Sequence, residues 1–192
     1  MRYRPQLAHA LNNFANLLAE LADWDSAMPL YEEALSIRRT LWQETPTLYQ
    51  ADLAMSLQNQ ALILTEQRHN DVAQKLYEEA LTHYQQLLKQ NPTTYRPELA
   101  MTLFNYGLFW QQKGESDNAK QCYQQAQAQL NSEPNQGNSS YQTLRDSIED
   151  RLNQVYQSIE KQDKGFVAKI DVLSKTNTDK FHQLKKIGDF NL

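Results

Sequence analysis

The sequence predicts an all-α fold, an α-solenoid of three antiparallel helix pairs with a C-terminal capping helix. The first observation behind this prediction is a residue pattern that recurs three times with a spacing of 46 residues and aligns without a gap. A fixed period in this range is typical of stacked helical repeats, in which each unit contacts only its neighbours. Nine columns are identical in all three copies: Tyr3/Tyr49/Tyr95, Leu7/Leu53/Leu99, Ala8/Ala54/Ala100, Leu11/Leu57/Leu103, Asn13/Asn59/Asn105, Asp25/Asp71/Asp117, Ala27/Ala73/Ala119, Tyr31/Tyr77/Tyr123 and Ala34/Ala80/Ala126.

The second observation is that each repeat contains two stretches of helical periodicity. In the first stretch Leu7, Leu11, Phe14 and Leu18 recur at intervals of three and four residues, which is the spacing of one helical face. We therefore expect helices at about residues 5–22, 26–44, 50–68, 71–90, 97–113, 117–131 and 140–161.

Proline and aspartate mark the expected helix ends. Pro5 and Pro97 are expected in the first turn of their helices, where a missing N–H is tolerated. Pro46 and Pro92 are expected to close their repeats because proline cannot continue a helix. Trp24 is expected in the turn between the two helices of the first repeat. One aspartate column is expected to cap the second helices by accepting hydrogen bonds from their free N–H groups: Asp25, Asp71 and Asp117.

The chain after the third repeat has a different composition. Asn, Ser, Gly and Pro are concentrated in a short stretch that predicts a loop. An amphipathic helix follows, with its apolar face formed by Leu144, Ile148, Leu152 and Val155. The predicted organisation is therefore three repeats within residues 1–131 (3–48, 49–94 and 95–131), a linker at 132–139, a capping helix at 140–161 and a basic, partly ordered tail at 162–192.

Composition and charge exclude several classes of function. The formal net charge is −4, and residues 1–160 carry 12 Lys/Arg against 19 Asp/Glu, so nucleic acid is not expected as a partner. The longest apolar run is far too short for a membrane span, and no leader for secretion is evident, so the expected location is cytoplasmic. The single cysteine, Cys122, occupies a column of leucines and is expected to be a buried filler residue.

The repeat columns resemble a known family. A small residue at Ala15/Ala61/Gly107 is followed twelve residues later by Ala27/Ala73/Ala119, then by the Tyr31 column and the Ala34 column. This pattern resembles the tetratricopeptide repeat, and the resemblance covers about residues 3–131. Because the usual period is about 34 residues, a period of 46 is similar to the long repeats of kinesin light chains and of many bacterial tetratricopeptide proteins. The resemblance implies an interaction module rather than an enzyme.

The same resemblance implies a ligand groove lined by the first helices of successive repeats. The invariant Asn column is its most functional-looking feature, since carboxamides can bind a peptide backbone. These Asn side chains could equally tie adjacent helices together. The basic clamp by which some family members bind chaperone tails is not expected, because its positions carry Asn12, Asn16, Asn59, Met101 and Asn105. The predicted partner-binding residues are His9, Asn12, Asn13, Asn16, Met55, Gln58, Asn59, Leu62, Met101, Phe104 and Asn105.

The functional prediction is a protein–protein interaction module that binds an extended peptide or partner segment in the concave groove, as part of a larger bacterial tetratricopeptide protein or regulator. The alternative is a scaffold that self-associates through its exposed terminal repeat faces, as a homo-oligomer. No catalytic residues, no metal site and no cofactors are expected, because no nucleophile–base or ligand spacing is evident.

Overall fold

The computed structural model describes residues 3–132 and 141–164. Within these ranges the chain forms seven helices and no strand. The helices are α1 (Arg4–Glu20), α2 (Trp24–Glu44), α3 (Pro46–Glu66), α4 (Asn70–Gln90), α5 (Pro92–Gln112), α6 (Ser116–Asn131) and α7 (residues 142–164).

Successive helices pack as antiparallel pairs. The most extensive packing joins α1 to α2, α3 to α4 and α5 to α6, and smaller contacts of α2 with α3 and of α4 with α5 link one repeat to the next. The predicted all-α solenoid is therefore confirmed. The predicted capping helix is also present as α7, whose apolar residues enter the core of the last repeat: Leu144, Ile148, Leu152 and Val155.

The small columns explain how closely the helices of one pair approach. Ala15 and Ala61 are fully buried, and the third member of their column, Gly107, lies directly under the ring of Tyr123. A methyl group at position 107 would overlap this ring. The tyrosine of each repeat therefore fills the space that a small residue on the facing helix leaves open.

The prolines begin helices rather than end them. Pro46 and Pro92 are the first residues of α3 and α5, so the prediction that they close their repeats is wrong. A proline is well suited to this position because its φ angle is already helical and the first N–H has no partner within the helix. The expected starts at residues 50 and 97 are therefore late, and Pro97 lies buried inside α5 rather than in its first turn.

The capping prediction for the Asp column is also wrong in its details. The residue before α2 is Asp23, whose side chain accepts a hydrogen bond from Ser26 N at 3.3 Å, and the corresponding residues before α4 and α6 are His69 and Glu115. Asp25, with its counterparts in the other repeats, lies in the first helical turn, where its charge interacts favourably with the helix dipole. Trp24 begins α2 and does not lie in the turn.

A left-handed residue connects the two helices of every repeat. Ala22 and Arg68 have φ angles of 60° and Gly114 has 80°, and these residues are spaced by the repeat period. In each turn the next N–H reaches back to a carbonyl five residues earlier, as from Asp23 to Leu18 at 2.9 Å. This bonding pattern is the Schellman motif, in which glycine is the preferred residue.

The linker and the tail lie largely outside the described residues. Of the predicted linker at 132–139, only residue 132 is described. Of the predicted tail at 162–192, residues 162–164 are described and form the end of α7.

The close approach of paired helices predicts a cost for larger side chains. We expect Ala61→Leu to lower the free energy of unfolding by about 1–3 kcal/mol, because the extra atoms overpack the contact with α4. Ala128→Leu on the exposed side of α6 is the control and should change stability little. Chemical denaturation monitored by circular dichroism measures both, and equal stability of the two variants would contradict this packing.

The left-handed turns predict opposite effects of two substitutions. Arg68→Gly should stabilise the protein by about 1 kcal/mol, because a side chain at positive φ is strained and glycine is not. Gly114→Ala should destabilise it by a similar amount for the same reason. Thermal unfolding of both variants checks the signs, and a stabilising Gly114→Ala would contradict the turn geometry.

Candidate functional site

The predicted groove residues lie on α1, α3 and α5, but they differ in exposure. Exposed members are His9, Asn13, Met55, Asn59 and Met101. Half-buried members are Asn12, Asn16, Leu62 and Phe104. Gln58 and Asn105 are buried, each with 8% of its surface exposed.

The invariant Asn column has three different environments. Asn13 donates a hydrogen bond from its amide to Nε2 of His9 at 3.1 Å. Asn59 is exposed and lines a cavity, whereas Asn105 is buried. Tying of adjacent helices is seen instead in the neighbouring column, where the buried Gln58 accepts a hydrogen bond from Thr102 at 2.5 Å.

A cavity of about 330 Å³ lies between α1, α2 and α3. We call it the Tyr31 pocket, and its lining residues are Asn16, Ala19, Glu20, Trp24, Tyr31, Asn59, Leu62, Ile63 and Glu66. It brings together three of the predicted groove residues, Asn16, Asn59 and Leu62. The Tyr31 hydroxyl donates a hydrogen bond to Oδ1 of Asn16 at 2.7 Å, which holds both side chains at the wall of the pocket.

Ala19 forms part of the pocket wall, and this position differs between the repeats. The same column carries Thr65 in the second repeat and Gln111 in the third. In the third repeat the Tyr123 hydroxyl donates a hydrogen bond to Gln111 Oε1 at 2.9 Å, so the glutamine occupies the place beside that tyrosine. Ala19 has no side-chain oxygen to accept such a bond, and the Tyr31 hydroxyl donates to Asn16 instead.

The pocket is acidic as well as aromatic. Burial raises the pKa of the Tyr31 hydroxyl to about 12, with the charges of Glu20 and Glu66 as further causes, so Tyr31 is a neutral hydrogen-bond donor at neutral pH. In the described part of the chain neither carboxylate forms an ion pair. Two unpaired carboxylates beside Trp24 and Tyr31 favour a cation over an anion.

A second cavity, of about 350 Å³, lies between α5 and α7. We call it the Phe104 pocket, and it is lined by Pro97, Glu98, Met101, Phe104, Tyr141, Thr143, Leu144 and Ser147. It brings Met101 and Phe104 together with the capping helix. Its lining is mainly apolar, so it suits an apolar side chain rather than a charged one.

Sequence reasoning did not assign Ala19, Trp24, Tyr31 and Ile63 to the site. From the sequence, Trp24 is expected in the turn of the first repeat, and Tyr31 is given only as a column of the repeat pattern. The sequence feature that could have indicated them is a difference between the first repeat and the other two. Ala19 occupies a position where the others have longer polar side chains, and Trp24 occupies the position of Asn70 and Ser116.

The described residues give little support for a metal site, a membrane-spanning helix or a reactive thiol. Among residues 3–132 and 141–164 no group of three His, Cys, Asp or Glu side chains is placed to hold a metal ion. None of the described helices is long and apolar enough to cross a membrane. Cys122 is buried, and burial raises the pKa of its thiol to about 11.

Comparison with known proteins identifies the repeat. The family profile described as tetratricopeptide repeat matches residues 7–41, which span α1 and most of α2. No curated protein matches the chain.

Two solved structures share the fold. The crystal structure of BtubC (BKLC) from P. vanneervenii has a TM-score of 0.63 at 22% identity over 81% of this chain and 58% of that one. The N-terminal domain of stress-induced protein-1 (STI-1) from C. elegans has a TM-score of 0.55 at 12% identity over 80% of this chain and 97% of that domain. The chain thus spans somewhat over half the length of BtubC.

With the helix-pair architecture, these matches define the class: an all-α solenoid of the tetratricopeptide type. Residues 7–41 match the tetratricopeptide repeat itself, and the two solved structures show that the chain has the corresponding fold. Such repeats generally bind protein partners and are generally not catalytic.

The raised pKa of Cys122 predicts an unreactive thiol in the folded protein. At pH 8 the thiol is almost wholly protonated, because the pH lies well below about 11, and the thiol form is a poor nucleophile. We expect Ellman's reagent to react slowly with the native chain and rapidly, with one equivalent, after denaturation. Fast reaction of the native protein would contradict the burial of Cys122.

Proposed function

We propose that this protein is a protein–protein interaction module whose concave groove binds an extended segment of a partner. The support is the fold class together with a groove side that presents open pockets and exposed side chains suited to a peptide. The segment would lie across α1, α3 and α5, because each of these helices contributes predicted groove residues.

The observation that carries the proposal is the Tyr31 pocket. Its size suits one side chain, and its walls combine aromatic surface from Trp24 and Tyr31 with the carboxylates of Glu20 and Glu66. Lysine and arginine have an apolar stem and a cationic end, which matches this combination. We therefore assign the pocket to a basic residue of the partner segment.

The remainder of the groove would contribute affinity without strong selectivity. Asn59, exposed beside the pocket, can bind the peptide backbone through its carboxamide. Met55 and Met101 are exposed by 44% and 37%, and methionine adapts its shape to different ligands. The Phe104 pocket would accept an apolar side chain of the same segment.

The wider setting forms part of the proposal. We infer a cytoplasmic, non-enzymatic role within a larger bacterial protein of the same class. The low cysteine content supports the cytoplasmic part of this setting. Any catalytic or effector activity would then belong to the rest of that larger protein.

A peptide-display selection tests this function. Random 12-residue peptides selected on the wild-type chain should be enriched in Lys or Arg, because only these residues satisfy the acidic, aromatic pocket. Ala19→Gln should weaken the selected peptides by at least about tenfold, or about 1.4 kcal/mol, because the longer side chain fills the pocket as Gln111 does beside Tyr123. Fluorescence anisotropy measures the dissociation constants.

A charge-matched pair of variants controls this experiment. The double substitution Glu20→Gln/Glu66→Gln removes both carboxylates of the pocket and should also weaken binding about tenfold. Glu32→Gln/Glu33→Gln removes the same charge from the exposed side of α2 and should leave binding unchanged. Peptides without basic residues, or equal affinity for wild type and Ala19→Gln, would overturn the assignment.

A further inference from the structure

One side of α1 carries an exposed row of apolar residues. We call it the α1 stripe, and it consists of Tyr3, Leu7, Ala10, Phe14, Leu17 and Leu21, spaced alternately by four and three residues. Its large members have 46–74% of their surface exposed. The spacing is that of a seam between two packed helices.

In the other first helices this face is buried at the positions that correspond to Leu7 and Phe14. The counterparts of Leu7 are Leu53 and Leu99, with 0% and 3% of their surface exposed. The counterparts of Phe14 are Gln60 and Tyr106, with 4% and 7% exposed. At these two positions the later repeats bury what the first repeat exposes, whereas the counterparts of Leu21 are the half-buried Gln67 and the exposed Lys113.

The preceding repeat is what covers this face in α5. Thr102, the counterpart of Ala10, donates its hydrogen bond to Gln58 of α3. The ring of Tyr106 packs on Tyr77 of α4 with their centroids 5.1 Å apart. Among the described residues no helix stands in the same relation to α1, so its stripe faces outward.

We propose that the α1 stripe of a second copy of this chain covers it, in an antiparallel pairing about a twofold axis. The stripe is self-complementary in this orientation, because the sequence positions pair as 3 with 21, 7 with 17 and 10 with 14. The small Ala10 of one copy then meets the large Phe14 of the other. A twofold interface of this kind uses the same patch on both copies.

Charge and area agree with a second copy as the occupant. On one side the stripe is flanked by Gln6, Asn13 and Glu20, and with Asn13 facing Asn13 the charged Glu20 meets the uncharged Gln6 of the other copy, so pairing brings no like charges together there. With roughly 150–250 Å² for a full aromatic side chain, the exposed fractions amount to roughly 500 Å² of mainly apolar surface on each copy. Two copies would bury roughly 1,000 Å², which is about the lower bound for a specific interface.

Mass measurement on the full 192-residue chain tests the pairing. We expect light scattering after size-exclusion chromatography to give a mass that rises with concentration toward that of a dimer. Phe14→Glu/Leu17→Glu should be monomeric at every concentration, because it places charges in the seam of both copies. Val72→Glu is the control, since Val72 is 50% exposed on α4 and lies outside the stripe. Circular dichroism confirms that all three chains are folded.

Cross-linking then identifies what covers the stripe. In the antiparallel pairing the Asn13 side chains of the two copies face each other near the twofold axis, so Asn13→Cys should give a disulfide-linked dimer on mild oxidation. Asn59→Cys, the same column one repeat later, should not.

Three outcomes would overturn the proposal. The first is a wild-type chain that stays monomeric up to about 0.2 mM, a concentration well above the micromolar dissociation constants of weak specific pairs. The second is a Phe14→Glu/Leu17→Glu variant that still dimerises. The third is a dimer in which Asn13→Cys does not cross-link, since another segment would then cover the stripe.

Discussion

Each repeat depends on one close contact, in which the ring of a tyrosine in the second helix meets a small residue in the first. The contact is tightest between Tyr123 and Gly107, where even a methyl group has no room. Tyr31 is buried in one cluster with Ala15, and Tyr77 in another with Ala61. Because this contact fixes how closely paired helices approach, it also fixes where the next repeat can pack.

The solenoid could be predicted because packing requires the same residue types in every copy. A different residue at a position that packs between paired helices would leave a cavity or cause a clash. These positions therefore carry the same residue in all three repeats, as in the columns of Ala27 and Tyr31. The helix ends were harder to predict. Proline is tolerated in a first turn and also terminates helices, so Pro46 supports either assignment until the neighbouring residues are placed.

The turns within the repeats could not be predicted from columns of identical residues. The left-handed residue of each repeat is Ala22, Arg68 or Gly114, so the backbone conformation repeats whereas the side chain does not. The hydrogen bonds of the turn belong to the backbone and leave only a weak preference for glycine in the sequence. Columns that vary can therefore carry conserved geometry.

The candidate site, in contrast, could not be predicted from the residues that the repeats share. The invariant Asn column drew attention from the sequence, yet its members have three environments, and Asn105 is buried. The lining of the Tyr31 pocket instead includes Ala19 and Trp24, where the first repeat departs from the other two. Packing explains the shared residues, and the departures make one repeat chemically distinct from the next.

The central claim is that this pocket accepts a cationic side chain. The indole N–H resonances of the three tryptophans test it directly, since Trp24 lines the pocket, Trp42 packs on His83, and Trp110 packs among Tyr106 and Phe109. Titration with a short peptide that carries one central arginine should move the Trp24 resonance and leave the other two in place. The matched peptide with glutamate should move none. An unmoved Trp24 resonance, or an equal response to both peptides, would contradict the account.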